Sequence, residues 1–187
     1  MSYYYESKAD KQNYHYVNHK RNPFTAPHFH SAAELIIVRH GRLLATVNGE
    51  EYTVCAGEGC FVDKFSVHSY GELEADTETY AFVGNSEIFE PIFADLGGVP
   101  QTSFRFNDFD LLDKAVGYYE NAKNENIKTG IFKGAVSLLL SVIAGNNEME
   151  KLGDRHSSKD ICAILKYIGE HFREELTLEG LASEFGY

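Results

Sequence analysis

A chain of 187 residues has room for one domain of average size, or for one domain plus the start of another. Hydrophobic residues make up 43%, which excludes a disordered chain, and 12 Tyr and 13 Phe require a packed interior. A net charge of −11 repels a phosphate backbone, so tight DNA binding by this stretch alone is excluded.

Three cysteines, Cys55, Cys60 and Cys162, without a CxxC spacing argue against both a disulfide framework and a zinc ribbon. Reduced thiols are expected. The N-terminus has no apolar stretch of signal-peptide type. The longest apolar run, around residues 135–144, is far short of a membrane span, so a cytoplasmic protein without membrane contact is expected.

In chain order, residues 1–26 are polar and aromatic with no sustained period, and read as an arm with one short strand. From Ala33 to Tyr80 the pattern is one of consecutive short strands, at 33–39, 42–47, 51–55, 60–64, 68–73 and 79–84. Gly turns separate them, and Asn48-Gly49 is a strong hairpin signal because both residues tolerate positive φ. Strands at about ten-residue spacing predict an antiparallel sandwich or barrel. Residues 86–96 read as a short helix broken near Pro91, and 101–106 as one more strand. From Asp108 the period is helical. Asp108 can cap a helix carrying Leu111, Leu112, Ala115, Val116 and Tyr119, and a second helix runs from Thr129 to Ala144. Residues 146–157 are polar and aperiodic, and read as a linker. An amphipathic helix over 158–172 follows, with Ile161, Ile164, Leu165 and Ile168 on one face. Thr177 then caps a short helix that Gly186 ends, with Leu181 and Ala182 facing inward.

The densest chemistry lies at residues 27–41, PHFHSAAELIIVRHG. Positions 28, 30 and 34 share parity, so an extended backbone aims His28, His30 and Glu34 at one face. Imidazole and carboxylate suit borderline divalent metals, and a fourth ligand must come from another strand. His68 begins such a strand. Without metal, the same groups would hydrogen-bond an organic ligand or each other. Arg39, Phe61 and Tyr70 sit on strands near this cluster and are candidate ligand-binding residues. His15 and His19, four apart, have a helical metal spacing, but no helix is evident there, and His40, His156 and His171 read as peripheral.

The spacing His28-x-His30-x3-Glu34-x6-Gly41 resembles the first motif of the cupin superfamily. In the second motif a glycine leads through a turn to a histidine. Gly59 and His68, nine residues apart, stand at its ends, with Lys64-Phe65-Ser66 where the family has Pro and Gly. The C-terminal segment more closely resembles the opening of the AraC-type DNA-binding domain. Ile161, Ile164, Tyr167-Ile168, His171, Leu176–Glu179, Leu181-Ala182 and Phe185-Gly186-Tyr187 carry that likeness.

These resemblances imply a mainly β fold with C-terminal helices. A cupin-type antiparallel β-barrel with an N-terminal arm is expected over 1–106, and a helical dimerisation segment over 107–146. A linker at 147–157 and an incomplete helix-turn-helix at 158–187 follow. The chain stops where the family pattern enters its recognition helix, and residues 158–187 hold three Lys+Arg against six Asp+Glu. Specific operator binding is therefore expected only of a full-length protein. The implied function is a small-molecule-responsive transcription regulator, not an enzyme, whose effector is a sugar or related metabolite. It would form a homodimer through the helices at 108–144. A divalent metal (Zn, Ni, Mn or Fe) at His28, His30, Glu34 and His68 is the implied cofactor. The alternative is a cupin metalloenzyme, a dioxygenase or sugar isomerase, using the same four residues. A barrel filled by bulky apolar side chains and serving dimerisation alone is a third reading.

Overall fold

The computed structural model describes residues 4–152, 164, 165, 167, 168 and 171–186. The chain divides into two compact units, Met1–Leu152 and Gly153–Tyr187.

The first unit is built on two five-stranded sheets. One has the order β1 (Tyr4–Tyr5), β3 (Thr25–Phe29), β8 (His68–Glu72), β5 (Arg42–Val47), β6 (Glu50–Cys55). The other runs β11 (Ser103–Arg105), β7 (Glu58–Val62), β4 (Ala32–His40), β9 (Glu78–Asn85), β2 (His15–Arg21). Apart from β1, which runs parallel to β3, every pairing in these two sheets is antiparallel. The six strands expected between Ala33 and Tyr80 are all present, with ends shifted by at most two residues. Asn48 and Gly49 both hold positive φ, 51° and 87°, and set the Val47↔Glu50 register of the β5–β6 hairpin. Gly41, at φ 77°, turns β4 into β5 so tightly that a Cβ there would lie 2.9 Å from the Thr77 Cα.

The N-terminal stretch is more ordered than an arm with one strand. It supplies β1, a short 3-10 turn at Ser7–Asp10, and the full strands β2 and β3. β2 pairs along seven residues with β9 only, and most of its positions are half-buried or exposed. Its alternation is accordingly faint in the sequence.

β4 is buried on both faces, and parity separates two cores. Ile36 and Val38 face inward with Leu43, Ala45, Cys60, Val62 and Tyr70, between the sheets. Leu35 and Ile37 face outward with Phe61, Tyr80 and Phe82, beneath a helical layer. That layer comprises α1 (Ser86–Leu96), α2 (Phe109–Glu120) and α3 (Glu125–Asn146). Asp108 caps α2 by accepting from the Leu111 N–H, and Asn124 caps α3 by accepting from the Ile127 N–H. α3 buries Phe132, Val136, Leu139, Leu140 and Ile143 on the barrel, each worth roughly 1.5–3 kcal/mol of transfer free energy.

Three expectations are corrected here. α1 runs unbroken through Pro91, because Ile88, Phe89 and Phe93 anchor it on both sides of the missing N–H. α3 spans 22 residues and is long and apolar enough, by length and composition, to cross a membrane, unlike the short apolar run counted from sequence. Within the proposed linker, β12 (Met149–Lys151) pairs with β10 (Gly98–Pro100).

In the second unit, α4 (Leu178–Phe185) begins at Thr177, whose hydroxyl accepts from the Gly180 N–H, and ends at Gly186 with φ 75°. Both caps match expectation. Leu181 and Ala182 are half-buried, and Tyr167 meets Phe185 edge-on. Much of the helix expected over 158–172, including Ile161 and Cys162, lies outside the described residues, as does Tyr187.

A candidate metal site inside the barrel

His28 lies one residue before the end of β3 in one sheet and Glu34 lies in β4 of the other, so His30 stands at the corner between them. The three residues do not share one strand, as parity alone suggested. They converge because the chain keeps its inner face toward the barrel as it changes sheet. His68 opens β8 directly opposite His28 in the antiparallel β3–β8 pair, with ring centroids 4.2 Å apart. All four side chains are buried, from 1% to 4% exposed.

The histidines share one orientation. Nδ1 of His28 meets the Ala26 carbonyl at 3.0 Å, Nδ1 of His30 the Ala32 carbonyl at 3.0 Å, and Nδ1 of His68 the Ser66 carbonyl at 2.9 Å. A carbonyl can only accept, so each Nδ1 carries its proton and donates. In the neutral ring Nε2 is then a bare lone pair. The three potential ligand atoms lie within 4.8 Å of one another. Glu34 Oε2 is 3.6 Å from His30 Nε2 and 3.5 Å from His68 Nε2, beyond hydrogen-bond reach. Among the described residues, the buried Nε2 atoms of His30 and His68 have no hydrogen-bond partner. Buried polar atoms rarely go unpaired. Three inward lone pairs, each fixed by a second hydrogen bond, and one carboxylate are a donor set that fits a divalent cation.

Charge follows the same arrangement. Burial by itself raises the Glu34 carboxyl, but the imidazoles of His30 and His68 outweigh it, and the group titrates well below the usual carboxylate range. Burial by itself lowers His68, yet the facing Glu34 carries it above the ordinary histidine value. His28 is lowered, first by burial and then by the neighbouring His68 and His30.

Of the other candidates, Tyr70 lies beside the cluster. Its ring lies 5.6 Å from that of His68, and its buried hydroxyl has no partner among the described residues. Burial first, then the Glu34 charge, keep that hydroxyl protonated far into the alkaline range. Tyr70 and Glu34 line a cavity of about 50 Å³ with Tyr16, Asn18, Lys20 and Thr25, room for a few waters. Arg39 does not reach it. Its guanidinium bonds the Tyr80 hydroxyl and, at 2.6 Å, Asp113 of α2. Phe61 pairs with Leu35 and so takes the outward parity, packing edge-on against Phe93 of α1. His15 and His19 lie on β2, where His15 bonds Tyr119 and Thr129, and His19 bonds Glu78 at 2.5 Å.

The turn that replaces Pro and Gly still aims His68. Phe65 takes the left-handed conformation at φ 61°, and its N–H donates to the His30 carbonyl at 2.7 Å. Gly57, eleven residues before His68, is the left-handed turn glycine at φ 84°. Gly59 is instead a strand residue whose missing side chain admits the Phe104 ring. Sequence reading missed Glu6, whose Oε2 lies 3.8 Å from His28 Nε2. No local spacing links residues so far apart in the chain; only the pairing of Tyr4 with His28 brings Glu6 there.

Residues 17–83 match the cupin domain model. The chain is 25% identical over 169 residues to the HTH-type transcriptional activator RhaS of Citrobacter koseri, covering 84% of this chain and 60% of that protein. RhaS of Salmonella arizonae is 25% identical over 171 residues with the same coverage. The chain thus spans about 60% of the length of these curated relatives. An apo form of ToxT from Vibrio cholerae superposes with a TM-score of 0.57 at 12% identity, covering 93% of this chain and 72% of that one. ToxT bound to (E)-4-(8-methylnaphthalen-1-yl)but-3-enoic acid gives 0.53 at 10% identity, covering 94% and 72%, a likeness of fold alone. The chain therefore carries a cupin domain at residues 17–83 and is homologous to transcription regulators of the AraC type.

Proposed function

We propose that this chain is the sensing part of a DNA-binding transcription regulator, and that His28, His30, Glu34 and His68 hold a divalent metal to which a small effector binds. The observation that carries the metal reading is the shared orientation of three buried imidazoles, each with Nδ1–H tied to backbone and the Nε2 atoms gathered within 4.8 Å of one another, those of His30 and His68 facing Glu34. Zn, Ni, Mn or Fe would suit these donors. When bound, such a metal supplies a Lewis-acid anchor for an oxygen atom. The chain's own groups do the rest. Glu34 offsets the cation's charge, the three backbone carbonyls hold the rings, and the Tyr70 hydroxyl offers a donor to an oxygen-rich effector such as a sugar. The cavity beside Glu34 is too small for a sugar, so the effector requires the barrel to open.

The proposed division keeps residues 1–106 as the sensing barrel with its arm, 107–146 as helices that also dimerise, 147–157 as a linker whose Met149–Lys151 stretch is tied back to β10, and 158–187 as the start of a DNA-binding domain. Tyr118, Ile127 and Leu138 support dimerisation, since α2 and α3 leave them 67%, 45% and 50% exposed. Operator DNA is a partner of the full-length regulator in the cytoplasm. α3 is read as a helix of a soluble protein that packs one face on the barrel, through Phe132, Val136, Leu139, Leu140 and Ile143.

The test is metal content by mass spectrometry of the protein without a histidine tag, wild type against His28→Ala/His30→Ala. Near-stoichiometric metal that vanishes in the double variant is expected. No metal in either protein would remove both the metal-dependent sensor and the metalloenzyme readings. The metalloenzyme, a dioxygenase or sugar isomerase, would use the same open donor set, and turnover by the loaded protein would favour it.

A further inference from the structure

We infer that Glu6 is an additional oxygen ligand of the barrel site, carried on the N-terminal segment, so that metal occupancy and docking of that segment are coupled. This inference rests on the metal reading given above.

The segment reaches the site by backbone pairing. Tyr4 and Tyr5 run parallel to β3, opposite His28 and Phe29, and the Glu6 N–H donates to the Phe29 carbonyl at 2.9 Å. The Tyr4 ring stacks on His28, with centroids 5.3 Å apart and planes at 20°. Glu6 is thereby held with Oε1 toward Lys8 and Oε2 toward His28 Nε2, at 3.8 Å. That Nε2 is one of the three clustered ring nitrogens, so Oε2 stands beside one donor of the candidate site.

Two carboxylates then face the imidazole cluster, and their attachments differ. Glu34 sits within the nine-residue β4, paired on both sides. Glu6 hangs on a two-residue strand paired only with β3, whose Tyr4 and Tyr5 are 50% and 39% exposed. Short, exposed pairings of this kind open at little free-energy cost. A cation that accepts Glu6 binds the docked segment better than the undocked one. Linkage then requires that the metal stabilise docking, and that docking raise metal affinity by the same factor. An effector oxygen that takes the Glu6 position releases the segment.

The experiment titrates Zn²⁺ alone into wild type, the isosteric Glu6→Gln and His30→Ala, using a chromophoric competitor. Amide hydrogen exchange is followed at Glu6 and Ala9, whose N–H groups donate to Phe29 and Glu6 carbonyls. Glu6→Gln is expected to weaken binding by at least about tenfold, and Zn²⁺ to slow exchange at both amides in wild type only. Equal affinity in wild type and Glu6→Gln, with the same exchange response, overturns the role of Glu6 and leaves the four-residue site standing. Wild type that binds no better than His30→Ala overturns the metal reading and this inference together.

Discussion

His68 and Glu34 face each other at 3.5 Å from opposite sheets of the barrel, His68 on β8 and Glu34 on β4. Their contact therefore exists only when the two sheets are closed on one another. A ligand shared by both side chains acts as a strut across the barrel, and its stabilisation should be visible in melting. At free metal about 100 times Kd, the gain is about 2.7 kcal/mol, or roughly 5–11 °C for a chain of this size. Calorimetry with and without Zn²⁺ should show this rise in wild type and lose it in Glu34→Gln. An equal rise in both would place the metal elsewhere.

Arg39 belongs to the junction between barrel and α2, and its removal should leave the site intact. The ion pair with Asp113 is solvent-accessible on both sides, 34% and 46% exposed, so Arg39→Ala should cost no more than about 1 kcal/mol. Metal content should equal that of wild type. A loss of metal in this variant would return Arg39 to the site.

Gly59 is required by packing. A Cβ there would meet the Phe104 ring at 2.3 Å and the Ile36 carbonyl oxygen at 2.9 Å. Gly59→Ala should lower stability by about 1–3 kcal/mol through overpacking, measured by urea unfolding. An unchanged midpoint would show that Phe104 and β11 swing aside freely.

The exposed residues of the helical layer should govern association. Leu138 is 50% exposed although it lies in α3, the helix that buries Phe132, Val136, Leu139, Leu140 and Ile143. Leu138→Glu should shift sedimentation from dimer to monomer while changing monomer stability by less than about 0.5 kcal/mol, as surface substitutions usually do. A wild-type monomer at all concentrations would exclude dimerisation through this face.

His15 ties β2 to the helical layer. It stacks on Phe132, its Nδ1 meets the Tyr119 hydroxyl at 3.1 Å, and its Nε2 meets Thr129 Oγ1 at 2.8 Å. Burial holds its pKa below the ordinary 6.5. The unfolded chain therefore binds a proton at higher pH than the folded one. This contribution is full above pH 6.5 and is lost as pH falls toward the folded value. The stability difference between wild type and His15→Gln should accordingly shrink between pH 7.5 and 5.5, as followed by thermal melts. A constant difference would mean that the ring is freely protonated where it sits.

By itself the sequence determined what local physics controls. The β-branched runs placed the strands, and Asn48-Gly49 fixed a hairpin because two positive φ values allow one register. Asp108, Thr177 and Gly186 marked helix ends through the groups they cap. It also brought His28, His30, Glu34 and His68 forward by spacing. Which side of each strand is the inside was a tertiary matter. Phe61 and Tyr70 look alike as barrel residues, but pairing with Leu35 turns Phe61 under α1, while Tyr70 faces the interior beside His68. Arg39 lies at a strand end, where the placement of α2 gave it Asp113 as a partner. Glu6 was invisible for the same reason, since a contact across so much chain is set by β1–β3 pairing and by no local periodicity. Propensity and capping act over a few residues, whereas the choice between inside and outside depends on what the rest of the chain brings to cover each face.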